Sequence, residues 1–244
     1  MADPDSDPNS TQTSQPPAPT PTAAAAAQTV EGEAQDHQFE IPIPTTIILR
    51  APSVYNKEAQ TGSGAGGNTW HPPPLAWLER TWTVTHSTLP MWRKAKNVRI
   101  TYKLLPPGSS SSEPVLIDDE VTSEPTAETW LPQPKSIRGV DTPDPSVPGG
   151  GAWNWRGRGW LRIASSHWEV LGWGEYEGEK WVVTWFEKSL FTPAGVDVYS
   201  ERRGGVSKGL VEEIRRCIRE GEAGREVGEL CDGGELREVV VDDA

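Results

Sequence analysis

Between residues 80 and 201 apolar and polar side chains alternate with the period of two that marks a half-buried strand. RTWTVTHS (80–87), NVRITYKL (97–104), VLIDDEVT (115–122), GWLRIASS (159–166), HWEVLGWGE (167–175), KWVVTWFEKS (180–189) and AGVDVYSE (194–201) all read this way. TWLPQPKSIRGV (129–140) carries two prolines, each lacking a backbone donor, and reads as an edge strand. YEGE between the sixth and seventh stretches predicts a tight hairpin. Ahead of the first strand, HPPP forbids helix up to Pro74, and LAWLER (75–80) has the pattern of one helical turn. After the last, Leu210, Val211, Ile214, Cys217 and Ile218 recur at helical spacing. They predict an amphipathic helix over 207–220 with Ser207 as its N-cap.

Eight consecutive strands without crossover helices form either a sandwich or an up-and-down barrel. Closure into a barrel removes the edges and leaves an interior that side chains fill or that holds one small ligand. Outside this block the alternation fades. Residues 1–38 are rich in Ser, Thr, Pro, Gln and Ala, too poor in apolar area to offset chain entropy, and are expected to be a disordered acidic tail. Residues 39–74 hold an apolar island, FEIPIPTTIIL, and a loop. The barrel with its helix takes 75–220, and 221–244 reads as an acidic tail. All 12 Trp lie between Trp70 and Trp185, so a chain only 35% apolar can still bury a large area within one block.

Charge sharpens that division. The net charge is -12, yet residues 50–225 hold twenty-two basic against twenty-one acidic residues, so the acidity belongs to the ends. A nearly neutral folded block lacks the basic surface that nucleic acid demands. Cys217 and Cys231 are too few for a disulfide scaffold and lack zinc spacing. The N-terminus has no basic, apolar leader pattern, and no run approaches a membrane span, so a cytoplasmic monomer is expected. His37 and His71 lie outside the strands, leaving two histidines in the barrel, and no phosphate loop or GxSxG occurs. No metal or cofactor is expected; a haem barrel with one axial histidine would need a second feature, which the sequence lacks.

A helical turn, a first strand with an early Trp, eight strands and a late amphipathic helix together resemble the lipocalin/calycin superfamily. Arg80-Thr81-Trp82 stands where that family has Gly-x-Trp, with Arg in place of the Gly. The THSTLPMW, ASSHWE and LFTPAGVDVYS segments are similar to those of intracellular calycin-like proteins of filamentous fungi. The resemblance implies an eight-stranded antiparallel calycin-like barrel with Trp82 at its floor. Arg202 or Arg203, just past the last strand, would stack over that indole. It also implies a lid over the open end, matched by Leu89-Pro90-Met91-Trp92.

With Trp82 inward, a period of two carries Val84 and His86 inward too. A buried imidazole needs a partner and titrates near neutrality; the plain alternative is a histidine satisfied within a polar core layer. His167 and Glu169 share one face of their strand. They form either an acid/base pair in the cavity or a solvated face opposite Trp168 and Val170. Arg99 and Arg162 alternate with large apolar neighbours and suit either a ligand carboxylate or surface cover for aromatics. The candidate ligand-binding set is therefore His86, Trp92, Tyr102, His167, Glu169 and Trp185, with Trp82 and Arg202 as floor residues. The expected function is an intracellular binding protein for a small hydrophobic or aromatic molecule. The alternative is a lipocalin-like isomerase or cyclase acting on a natural-product intermediate, since such chemistry needs shape and a few polar groups more than a nucleophile.

Overall fold

The computed structural model describes residues 42–55, 70–108, 112–127, 135–147, 149–232 and 236–242, all within one compact unit, Glu40–Ala244. The expected tail at 1–38 lies outside the described residues. The first element is α1 (Leu75–Leu78), one helical turn. Eight strands follow: β1 (Thr81–Ser87), β2 (Ala95–Leu104), β3 (Ile117–Pro125), β4 (Lys135–Pro143), β5 (Ala152–Gly157), β6 (Ser165–Tyr176), β7 (Glu179–Phe186) and β8 (Gly195–Ser200). Each pairs antiparallel with the next, and β1 pairs with both β2 and β8, so the sheet closes into an up-and-down barrel. Its fifth strand differs from expectation. It is AWNWRG, while 159–166 holds a short 3-10 turn (Gly159–Leu161) leading into β6. The hairpin between β6 and β7 turns on Glu177 and Gly178, both at positive φ, the two-residue turn whose twist matches its strands.

Closure at β1 is split. Thr81–Thr83 pair with β2, but beyond Thr83 the two strands diverge. The C-terminal segment fills that gap: β9 (Arg237–Glu238) pairs with His86 and Ser87, and the Val239 amide donates to the Thr85 carbonyl at 2.8 Å. Val240 then bridges to Lys96 of β2, and the Asn97 amide donates to its carbonyl at 2.9 Å. Val239 enters the barrel interior while Leu236 packs outside, the alternation of a genuine wall strand. The expected acidic tail over 221–244 is thus corrected. It carries α3 (Arg225–Asp232), whose Val227 is fully buried, and the segment that seals the seam.

Apolar residues form two clusters, one inside the barrel and one between its wall and the covering elements. α2 (Lys208–Arg219) buries Leu210, Ile214, Cys217 and Ile218 against the outside of β7 and β8. Ser207 caps it by accepting from the Leu210 amide at 3.3 Å. Residues 44–50 cross the outside of β6, where Gly172 and Gly174 give them room. A Cβ at Gly172 would meet the Leu49 side chain at 2.4 Å, and one at Gly174 the Pro44 carbonyl oxygen at 2.4 Å. β6, β7 and β8 are therefore buried on both faces, which accounts for their nearly continuous apolar runs.

The end near α1 is packed solid. Trp82 is fully buried and donates its indole N–H to the Leu78 carbonyl at 3.0 Å, while Trp77 lies edge-on to Trp173 with centroids 4.7 Å apart. The cation over this plug is Arg80, 5.3 Å from both the Trp77 and Trp82 ring centroids. Arg80 is held there by Glu201 at 2.9 Å and by the Trp77 carbonyl at 2.8 Å. Arg202, expected in that role, instead pairs with Glu179 at 3.4 Å. An arginine immediately before the first strand reaches the indole more directly than one beyond the last.

Deleting residues 236–244 should unpair the upper half of β1 and empty the Val239 site. We expect a loss of at least about 2 kcal/mol in urea unfolding; an unchanged midpoint would mean that the barrel closes without this segment.

Candidate functional site: an apolar cavity on a buried acidic floor

The opposite end of the barrel is open. A cavity of about 440 Å³ extends inward from it, walled by Ile100, Val121, Ile137, Trp155, Trp168 and Phe186. These residues face inward by simple alternation. Ile100, Val121 and Ile137 are register neighbours across β2, β3 and β4, forming one smooth apolar wall. Trp168 is stacked between Tyr102 (5.5 Å, 5° between planes) and Trp153 (4.5 Å, 20°), so one side of the cavity is a rigid aromatic layer. The 3-10 turn Pro90–Lys94 places Met91 and Trp92 at the rim, where the expected lid lies. Trp160, Leu161 and Ile163 join them from the β5–β6 connection, and Phe191 from the β7–β8 connection.

Beneath the apolar walls the polarity reverses. Asp119, Asp141 and Asp197 project inward from β3, β4 and β8, and each is at least nine-tenths buried. Tyr102 stands opposite Asp119 in the β2–β3 register, and Tyr199 lies two residues from Asp197 on the same face. Asp141 accepts from the Trp168 indole N–H at 2.8 Å. Asp197 is 2.5 Å from the Ser87 hydroxyl and accepts from the Trp92 indole N–H at 3.3 Å. One oxygen each of Asp119 and Asp141 lacks a hydrogen-bond partner among the described residues, and the Tyr199 hydroxyl faces Tyr102 and Thr184 without a well-formed bond to either.

Burial disfavours the charged form of every one of these groups. It pushes the Asp197 carboxyl up to about 7, against the opposing hydrogen bonds of Ser87 and Trp92. Asp119 is raised well above the carboxylate range by burial and then by its neighbours Asp141 and Asp118, and Asp141 is raised by burial as well. Burial also lifts both tyrosines well above their usual value. The floor therefore holds protons near neutrality. Protonated carboxyls donate hydrogen bonds, so this floor suits oxygen acceptors on a ligand and can also exchange a proton with one.

The structure sorts the six candidate residues. Trp92 and Tyr102 line the cavity. His86 does not: a bulge between Val84 and His86 in the β1–β8 pairing breaks the period of two. Ser87 turns inward to Asp197, while His86 turns outward beneath the C-terminal segment. There burial, with Arg215 adding charge repulsion, lowers its pKa to about 4. Trp185 also faces outward, into the cluster beneath α2, with Tyr55 edge-on at 5.8 Å.

His167 and Glu169 lie on the outer face too, but they are covered rather than solvated. Arg50 pairs with the fully buried Glu169 at 2.7 Å, and Ser53 donates to the same carboxylate from both its amide and its hydroxyl. His167 stands 3.3 Å from both Glu169 and Asp144. Burial works against its protonation, but the Glu169 hydrogen bond and the charges of Glu169 and Asp144 prevail and raise its pKa. This network fastens the N-terminal segment to the wall. Arg99 likewise lies outside, bonded to Thr83 and the Arg203 carbonyl. Among the described residues no group of His, Cys, Asp and Glu has a metal-binding arrangement.

A closed eight-stranded up-and-down barrel, with a helical turn before β1, an amphipathic helix after β8 and one open end, is a lipocalin-like fold of the calycin type. No family model matches the chain. It is similar to "Botcinic acid biosynthesis cluster B protein 12" of Botryotinia fuckeliana (strain B05.10), with 28% identity over 164 residues covering 64% of this chain and 70% of that one. Among solved structures it is similar to lobster apocrustacyanin A1 (12% identity, TM-score 0.45, covering 83% of this chain and 94% of that one). Apocrustacyanin C1 gives 13% identity and a TM-score of 0.47, over 83% and 95% of the two chains. The siderocalin Ex-FABP gives 14% and 0.36, over 68% and 95%.

The floor predicts a pH dependence. A carboxyl whose folded value is raised contributes stability that is complete below its unfolded pKa and lost as pH rises through the folded one. For Asp197 that window runs from about 3.8 to about 7. Asp197→Asn removes this titration, so its stability relative to wild type should improve across that window, by about 1.4 kcal/mol per pK unit. Urea unfolding of both proteins at several pH values checks this; a pH-independent difference would mean that Asp197 ionises normally.

Proposed function

We propose that this chain is a cytoplasmic binding protein for a small, mostly apolar molecule bearing one or two oxygen acceptors, held in the barrel cavity. The observation that carries this reading is the cavity itself: about 440 Å³ with apolar walls over an acidic floor, within the size range of small-molecule sites. The apolar body lies against Val121, Ile137 and Trp168, and the oxygen end meets Tyr102 and Asp119. Nile red, a neutral dye that brightens in apolar surroundings, tests the cavity without knowledge of the natural ligand. We expect one dye per chain, with quenching of Trp fluorescence, and at least about tenfold weaker binding when Val121→Trp fills the space. Ser166→Trp, from a different strand of the cavity wall, guards against a folding defect in the first variant. Dye binding that neither substitution weakens would place the dye elsewhere and overturn the assignment.

A second reading, an isomerase or cyclase working on a natural-product intermediate, is favoured by the unpartnered oxygens of Asp119 and Asp141 beside the cavity. A carboxyl that holds its proton near neutral pH is a competent general acid toward a bound carbonyl. The similarity to a protein named for a biosynthesis cluster supports the same reading. In a strain lacking this gene, the wild-type copy should restore the lost product and Asp119→Asn should leave its precursor accumulating. Full restoration by Asp119→Asn would remove that carboxyl from any reaction.

A further inference from the structure

The rim of the cavity is apolar on its outside as well as its inside. Trp160, Ile163, Leu190 and Phe191 are 87%, 79%, 89% and 59% exposed, and Met91 is 43% exposed. They come from three separate connections, β1–β2, β5–β6 and β7–β8, which an up-and-down barrel brings to one end. Trp160, Ile163, Phe191 and Met91 border the cavity, and Leu190 lies beside Ile163 and Phe191 on its outer flank. Solvated aromatic and aliphatic tips gathered at one end of a fold mark a surface that is covered in use.

The same connections are basic. Residues 88–94, 158–164 and 187–194 carry Arg93, Lys94, Arg158, Arg162 and Lys188 against the single acid Glu187, in a chain of net charge -12. Asp118 pairs with Arg158 at 2.8 Å and offsets one of these cations, Glu128 adds an acid in the β3–β4 connection, and the adjoining strand ends add Glu124, Glu238 and Asp242 against Lys96, Lys135, Arg156 and Arg237. The end remains positive on a strongly negative molecule.

We propose that this open end docks on an anionic bilayer surface, with the apolar tips entering the headgroup boundary and the cavity mouth facing the lipid. Trp at a rim, aliphatic neighbours and flanking Lys and Arg are the chemistry of interfacial binding, and each cation near a negative leaflet adds attraction. Two copies meeting mouth to mouth would set like charges against each other. The tips also surround an opening rather than forming a continuous patch, which suits a deformable surface better than a rigid partner. The proposal does not depend on the identity of the ligand, nor on whether the cavity is catalytic.

Co-sedimentation of the full chain with vesicles tests it. Phosphatidylcholine mixed with phosphatidylserine should bind the protein, with release by salt, and phosphatidylcholine alone should bind it far less. Trp160→Ser/Ile163→Ser and Arg162→Glu/Lys188→Glu should each weaken binding by about tenfold, whereas Ile43→Ser, 40% exposed beside the segment that crosses β6 at Gly174, should not. Absence of binding to the mixed vesicles, or equal binding by the Trp160/Ile163 variant, overturns the proposal. So does self-association on gel filtration that the same variant abolishes, which would assign the rim to a second copy of the chain.

Discussion

Closure through β1 is the constraint on which everything else rests. β1 bonds to β2 over Thr81–Thr83 and to β8 from Thr83 to Ser87, and its period is not uniform along that second stretch. The bulge after Val84 absorbs the misfit and reverses the inward face, which brings Ser87 to Asp197 and sends His86 outside. The gap that opens toward β2 would expose backbone donors and acceptors on both strands, and such edges are costly and adhesive. Residues 237–242 satisfy them. The end of the chain is therefore part of the wall beside the very mouth that admits solvent to the cavity.

Once the wall is closed, the interior divides by side-chain size. Near α1, Trp77, Trp82 and Trp173 pack against one another inside the barrel under the Arg80 guanidinium. Toward the mouth, Ile100, Val121 and Ile137 are smaller than the barrel is wide, and the cavity is what remains. Between these halves sit three carboxyls, and the charge of Arg93 offsets the burial of Asp197 only in part. Ionised, they would be expensive to bury; protonated, they cost the gap between their folded and unfolded pKa values. Buried groups with such shifts cluster at functional sites, which supports the proposed reading of the cavity.

The barrel was legible because most strands obey the period of two, and the helix because its apolar face and Ser207 cap are local. What escaped depends on distant contacts. GWLRIASS alternates well, but Gly159, at positive φ, turns the chain there, so AWNWRG is the strand. Trp185 could not be placed by alternation, since its strand is buried on both faces by α2 and the N-terminal segment. Glu169 is buried by Arg50 and Ser53, more than a hundred residues earlier. The acidic floor carried a signal that went unread. Asp119 lies between Ile117 and Val121 at strand spacing, so alternation directs that carboxyl inward, whereas Asp197 belongs to a strand buried on both faces.

Floor, walls and mouth together set a direction of entry. A molecule with one oxygenated end and an apolar body gains most by entering oxygen first, because the buried donors gather at the floor while the wall hydroxyls, Ser165, Ser166, Ser189 and Thr192, lie toward the solvated mouth. Its apolar end then lies level with Trp160, Ile163 and Phe191, where the rim continues the cavity lining to the outside. Facing water, that arrangement leaves both the rim and the end of the ligand exposed. Facing an apolar boundary, it lets the ligand pass from one low-polarity medium to another with little of its body solvated on the way. Under the two proposals, the positive charge beside the rim orients the barrel first and the acidic floor then orients what enters it.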